Sequence, residues 1–264
     1  MVNTGLQNKV VLITGASRGI GRTTALAFAN EGARLALCAR DDQMLNQTAD
    51  EIQHAAHAEV LPVKANMTKL NDIRRVVEAT VKKFDRIDVL VNNAGGAHIG
   101  GILATTDEEW EYHLQLKLLG YIRMAREVIP HMIKNGGGRI VNVVGMAARE
   151  PSALYMVPGV TNAGILNFAK SLSKELEPHK ISVNSVNPGT TDTPLTAETI
   201  ASLAKILNKT PEEVRASVEA SFPGGRLATA DDVARVILFL ASDAAKFVNG
   251  VTVNIDAGRS PGVW

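Results

Sequence analysis

Residues 9–21, KVVLITGASRGIG, decide the fold. The run Val10–Thr14 is apolar and rich in β-branched side chains, as in a strand covered on both faces. It runs into a turn with glycines at 15, 19 and 21, which opens a segment of helical character. A helix N-terminus presents unpaired N–H groups and the positive end of its dipole, and glycine lets a diphosphate approach the backbone. The stretch therefore predicts a strand, turn and helix cradling a dinucleotide, with Gly15, Ser17, Arg18, Gly19, Ile20 and Gly21 around the phosphates. Glycines also serve any tight strand-to-helix connection, so the order of the following segments matters.

Outward from this stretch the chain alternates short β-rich runs with longer helical ones. Strands are predicted at Val10–Thr14, Arg34–Ala39, Glu59–Lys64, Val89–Asn92, Arg139–Val144, Ile181–Val186 and Val251–Ile255. Helices fall between them at about 20–31, 42–56, 69–84, 107–134, 159–177 and 230–242. This rhythm predicts a single α/β domain over 1–264, with a doubly wound parallel sheet. Residues 194–223 break it with two helical patterns, ETIASLAKIL and EEVRASVEA, and form an expected lid over the ligand crevice.

Composition narrows the function. The chain has 264 residues, 45% hydrophobic, with 28 Lys+Arg against 27 Asp+Glu. No basic stripe suggests nucleic acid or an anionic membrane as a partner. The one cysteine, Cys38, has no internal disulfide partner, and no apolar run reaches membrane-spanning length. A cytoplasmic protein acting on a small molecule is expected.

Four motifs, TGASRGIG at 14–21, NNAG at 92–95, NPGTTDTP at 187–194 and VNIDAG at 253–258, together resemble the short-chain dehydrogenase/reductase family across essentially the whole chain. The resemblance implies a Rossmann-type sheet of about seven parallel strands, with NAD(P)(H) across its C-terminal edge. By matched position, Asn93, Ala94 and Gly95 would line the adenosine side. Asn66 and Met67, in KANMT, would lie at the adenine edge, where the family usually has Asp in place of Asn66. Pro188, Gly189, Thr191 and Thr193 would border the nicotinamide.

The cofactor type follows from charge. An acid ending the second strand would bind the ribose hydroxyls and repel a 2′-phosphate, whereas arginine favours the phosphate. This chain has Ala39-Arg40, and Arg18 can approach from the glycine turn. NADP is expected, with NAD as the alternative. Asp41 and Asp42 could instead cap the next helix and pair with Arg40.

Catalytic positions are where the resemblance breaks. The family pairs a tyrosine with a lysine four residues on, adds an upstream serine, and places an asparagine on the preceding helix. Counting back from the register of LNFAKSLSKEL puts the lysine position at Asn162, the tyrosine position at Pro158 and the serine position at Gly145; the asparagine position falls at Lys117. Asn162 could still hydrogen-bond the nicotinamide ribose. Lys117 and Tyr155 are the candidate replacement pair: nearby nicotinamide would depress the ammonium pKa, and the ammonium would favour a phenolate. His98 and His113 are further candidates, and for all four a packing or solvated role is the alternative.

Three functions remain open at this level: an NADP(H)-dependent oxidoreductase on an alcohol or carbonyl with an altered acid/base set, a cofactor-binding protein without redox turnover, and a non-redox lyase or isomerase. Leu195, Ile200, Leu203, Ile206, Leu207 and Phe222 on the lid suggest a largely apolar substrate, or else they only seal the lid. The apolar character of LQLKLLGYIRMAREVIPHM, with the family's habits, suggests a homo-oligomer, dimer or tetramer.

Overall fold

The computed structural model describes residues 4–262. Its centre is a seven-stranded parallel sheet of β1 (Val10–Thr14), β2 (Arg34–Ala39), β3 (Val60–Lys64), β4 (Val89–Asn92), β5 (Gly138–Val143), β6 (Ile181–Pro188) and β9 (Thr252–Ile255). Their order across the sheet is β3-β2-β1-β4-β5-β6-β9. Each predicted strand is present within two residues at either end. β6 runs on to Pro188 because Asn187 and Pro188 pair with Asn254 and Ile255 of β9.

Alternation along β1 shows why the strands read as continuous apolar runs. Val10 and Leu12 enter one buried cluster with Leu90, Met124 and Ile140, while Val11 and Ile13 enter another with Phe28, Leu35 and Val89. Helices cover both faces, so both sides of the pleat must be apolar. The covering helices are α1 (Gly19–Asn30), α2 (Asp42–Ala56), α3 (Leu70–Phe84), α4 (Asp107–His113), α5 (Gly120–Lys134), α6 (Met156–Glu175) and α9 (Ala230–Ala241). A π-helical segment, Leu114–Leu119, joins α4 to α5, so the predicted helix over 107–134 is one rod with a local widening.

The chain order reverses between β1 and β4, which opens a crevice at their C-terminal ends. Thr14 closes the bottom of it: its Oγ1 accepts hydrogen bonds from the Asn93 and Ala94 amides at 2.9 and 3.0 Å. Over the crevice sit α7 (Pro194–Leu207) and α8 (Pro211–Ala220), the expected lid, flanked by the short paired strands β7 (Thr191–Asp192) and β8 (Ala228–Thr229). Prolines at the first turns and side-chain caps from Thr193 and Thr210 start these two helices. Among the described residues no helix is long and apolar enough to cross a membrane.

Candidate active site

The crevice is a cavity of about 1240 Å³, reaching from the glycine turn to the lid. At its floor, α1 begins at Gly19 with Arg18 in the N-cap position and no side chain capping the first turn. Those amide groups therefore remain available to an anion. Gly19 has φ +55°, a conformation that costs other residues strain. Ser17, Arg18, Ile20 and Gly15 complete this wall.

Gly21 serves differently from the expectation. It does not line the cavity; a Cβ there would lie 2.2 Å from the Gly15 carbonyl oxygen, so its role is to let α1 pack under the turn. Asn93 lines the cavity and also braces the turn from behind, its Nδ2 donating to the carbonyls of Thr14 and Gly15, both at 3.0 Å. Ala94 and Gly95 continue the wall, as do Pro188, Gly189, Thr191 and Thr193 at the opposite end.

Asn66 is a second correction. Ala65 and Met67 line the cavity, but the Asn66 carboxamide oxygen accepts from the Thr68 amide and hydroxyl, both at 3.0 Å. The side chain builds a local turn, which is the usual service of asparagine at such positions.

Both arginines line the cavity and are exposed, each holding an internal partner. Arg18 Nη1 meets the Glu198 carboxylate on the lid at 2.6 Å, and Arg40 Nη1 donates to the Tyr112 hydroxyl on α4. Asp41 caps α2 by accepting from the Met44 amide at 3.0 Å, and no ion pair between Arg40 and Asp41 or Asp42 forms among the described residues.

Lys117 stands in the π-helical segment, with its stem against Gly95 and its Nζ donating to the Val144 carbonyl at 2.6 Å. The side chain borders the cavity and is half-buried. Burial alone pulls its pKa down to about 7, so a nearby nicotinamide charge is not needed for the depression expected above. Tyr155 is the N-cap residue of α6, held by a parallel bridge to Gly100, and lines the same cavity. Burial raises its pKa, which works against the expected phenolate. The two groups are brought to one cavity, yet no hydrogen bond joins them among the described residues.

Asn162 is buried in α6, 3% exposed. Its Nδ2 stands a long 3.5 Å from the Gly145 carbonyl oxygen, and its Oδ1 is buried with no partner. Such an acceptor, lining the cavity, fits a donor on the ligand. The two histidines do not line the cavity. Their rings meet edge-on at 5.7 Å, His98 contacts the Thr105 hydroxyl at 3.1 Å, and burial lowers the His113 pKa.

On the lid, Leu195, Ile200, Leu203 and Leu207 line the cavity, whereas Phe222 is buried under Arg259 at 4.7 Å and Ile206 points outward, 50% exposed. Glu150 and Arg259 also line it and were missed by sequence reading, since neither belongs to a motif with a spacing to recognise.

Set against known proteins, residues 15–260 match the family model described as enoyl-(acyl carrier protein) reductase. The 3-oxoacyl-(acyl-carrier-protein) reductase FabG of Thermotoga maritima is 37% identical over 96% of this chain and 98% of its own. Galactitol 2-dehydrogenase of Agrobacterium fabrum is also 37% identical, over 96% of this chain and 98% of its own. The crystal structure of L-sorbose reductase from Gluconobacter frateurii, complexed with NADPH and L-sorbose, superposes with a TM-score of 0.94 at 31% identity, covering 99% of this chain and all of that one. With fold, crevice and motifs in agreement along nearly the full length, the chain belongs to the short-chain dehydrogenase/reductase family.

Proposed function

We propose that this protein is an NADP(H)-dependent oxidoreductase interconverting an alcohol and a carbonyl, with Lys117 as the group that gives and takes the proton. One observation carries the reading: an amine at the wall of the cofactor crevice, anchored at 2.6 Å to Val144 and held near pKa 7. A general acid works best with a pKa near the working pH.

The crevice fits the cofactor. The uncapped first turn of α1 would hold the diphosphate, Ala65 and Met67 the adenine, and Asn162 the nicotinamide ribose through its orphaned oxygen. Arg18 and Arg40 would hold the 2′-phosphate, exchanging their present partners for a more highly charged one. The sorbose reductase complex contains NADPH, which supports the same choice here. Bound NADPH supplies a hydride to the carbonyl carbon. Lys117, as an ammonium, then protonates the developing alkoxide, and the Val144 carbonyl keeps the amine in place. Tyr155, kept protonated by burial, donates a hydrogen bond to the carbonyl oxygen and needs no phenolate.

The competing reading, cofactor binding without turnover, is favoured by Gly145, Pro158 and Asn162 at the positions where the family resemblance places serine, tyrosine and lysine. The loss of absorbance of reduced nicotinamide with a panel of ketones, ketoses and 3-oxoacyl thioesters separates the two. For an accepted substrate, Lys117→Met is expected to lower the rate by about 10²- to 10⁴-fold with unchanged NADPH affinity. A variant as fast as the wild type removes Lys117 from the chemistry. NADPH that binds without being consumed across the panel favours the second reading, and product formed with no change in nicotinamide favours a lyase or isomerase.

A further inference from the structure

Between β5 and α6 the chain makes a stretch that the family motifs leave unassigned, and its one acid, Glu150, lines the crevice. The stretch is pinned at both ends. On one side the Glu150 amide donates to the Met146 carbonyl at 2.9 Å and Arg149 donates to Asn254 at 3.1 Å. On the other, Gly100 donates to the Leu154 carbonyl at 3.0 Å and bridges to Tyr155. Among the described residues the carboxylate between them has no ion-pair partner, and its Oε1 is buried without a hydrogen bond. Native proteins seldom leave a buried acceptor unmatched unless function uses it. The last torsion of a glutamate is soft, so a modest rotation turns this oxygen into the cavity.

The surroundings indicate what it would meet. Ile200, Leu203 and Leu207 give the lid side of the cavity an apolar stretch, beside Thr196 and Thr199. The Lys117 amine is held by the Val144 carbonyl at 2.6 Å and forms no ion pair with Glu150 among the described residues. Glu150 therefore faces a part of the substrate away from the reacting carbonyl.

Resting on the reductase reading above, we propose that Glu150 selects the substrate: it accepts a hydrogen bond from a hydroxyl or ammonium group carried at a distance from the carbonyl. The acceptor oxygen is buried in the wall, so a substrate lacking the donor leaves it unmatched and is discriminated against. Because the contact is remote from the chemistry, it is made equally in ground and transition states, and it affects KM while sparing kcat.

The test uses the full chain loaded with NADPH and three ligands: a linear methyl ketone and its counterparts bearing a terminal hydroxyl or a terminal amine. Affinity is measured by calorimetry, independently of turnover, and NADPH consumption is followed in parallel. Wild type is expected to bind one of the two donor-bearing ketones at least tenfold more tightly than the plain one, and Glu150→Ala to lose that difference while binding the plain ketone as before. Glu150→Gln assigns the donor: it keeps much of the preference for a hydroxyl and none for an ammonium. No preference in wild type, or a preference that survives Glu150→Ala, overturns the proposal. Selective binding with no NADPH consumed leaves Glu150 in place as the selector and fails the reductase reading instead. For a substrate that is turned over, a fall in kcat equal to the rise in KM would mean that Glu150 only shapes the loop.

Discussion

The proposed mechanism concentrates the chemistry in one side chain, Lys117. Its amine has pKa 10.5 in an ordinary setting and about 7 here, so across that interval the unfolded chain holds a proton that the native chain does not. Stability must then rise with pH through the window, because the unfolded state binds more protons. Below pH 7 both states are protonated and the dependence stops. Lys117→Met removes the effect. Its unfolding free energy is expected to lack a pH-dependent gain on the order of 2–4 kcal/mol that wild type shows between pH 7 and 10.5, measured by denaturant titration. Parallel curves for the two proteins would mean that the amine is solvated. The rate carries the same signature with a definite sign: carbonyl reduction needs the ammonium, so kcat/KM should fall as pH rises through about 7, while alcohol oxidation should rise to a plateau there. The arginines answer a separate question. Arg40→Ala is expected to weaken NADPH about tenfold or more and leave NADH unchanged, read by quenching of cofactor fluorescence; an equal loss for both cofactors would place Arg40 away from the 2′-phosphate.

At the scale of elements, the lid and the glycine turn are latched to each other. Arg18 on the turn grips Glu198 on α7 in a pair that is exposed on both sides, so it contributes little to stability but does occupy the arginine. Glu198→Gln should free Arg18 and tighten NADPH binding a few-fold, with NADH unaffected; weaker NADPH binding would show that the pair organises the site. Gly19→Val probes the turn itself. A Cβ at 19 meets Thr193 at 3.5 Å, an ordinary contact, so the substitution is opposed by the backbone, at φ +55°, and by the lost approach to a diphosphate. It should cost about 1–3 kcal/mol of stability and prevent cofactor binding. Strands and most helices were legible in the sequence because a sheet covered on both faces writes itself as apolar runs separated by amphipathic ones. The start of α6 was not: Tyr155 and Met156 carry no capping signal, and the helix opens at Met156, before the predicted 159. Nor was the π-helical segment, since an i→i+5 turn over Leu114–Leu119 leaves no periodic mark, yet it sets the direction in which Lys117 leaves the helix. Gly15 and Gly19 line the crevice, while Gly21 and Asn66 do not, for one reason: a residue can sit in a binding motif and serve only the backbone around it. Glu150 and the orphaned oxygen of Asn162 become visible only when distant segments are folded together.

At the scale of the whole molecule, the crevice joins the two halves of the sheet. Its walls come from the glycine turn after β1, the ends of β2 and β4, the segments after β5 and β6, and Arg259 beyond β9. A ligand lying across them touches both buried clusters at once, and no contact within either half can substitute for it. Binding to the native state alone must therefore stabilise the entire fold. At a hundredfold excess over Kd the gain is about 2.7 kcal/mol, and for a chain near this size each kcal/mol raises Tm by roughly 2–4 °C. NADPH at that concentration is expected to lift the transition by about 5–10 °C as a single step, since the ligand couples the halves. NADH at the same concentration should give a smaller shift because it lacks the 2′-phosphate that Arg18 and Arg40 would hold. Gly19→Val, already somewhat less stable, should show no shift with either. A wild-type Tm that ignores excess NADPH would sink the cofactor reading for this chain, whatever its relatives bind, and a transition that splits in two on adding NADPH would show that the crevice is engaged from one half only.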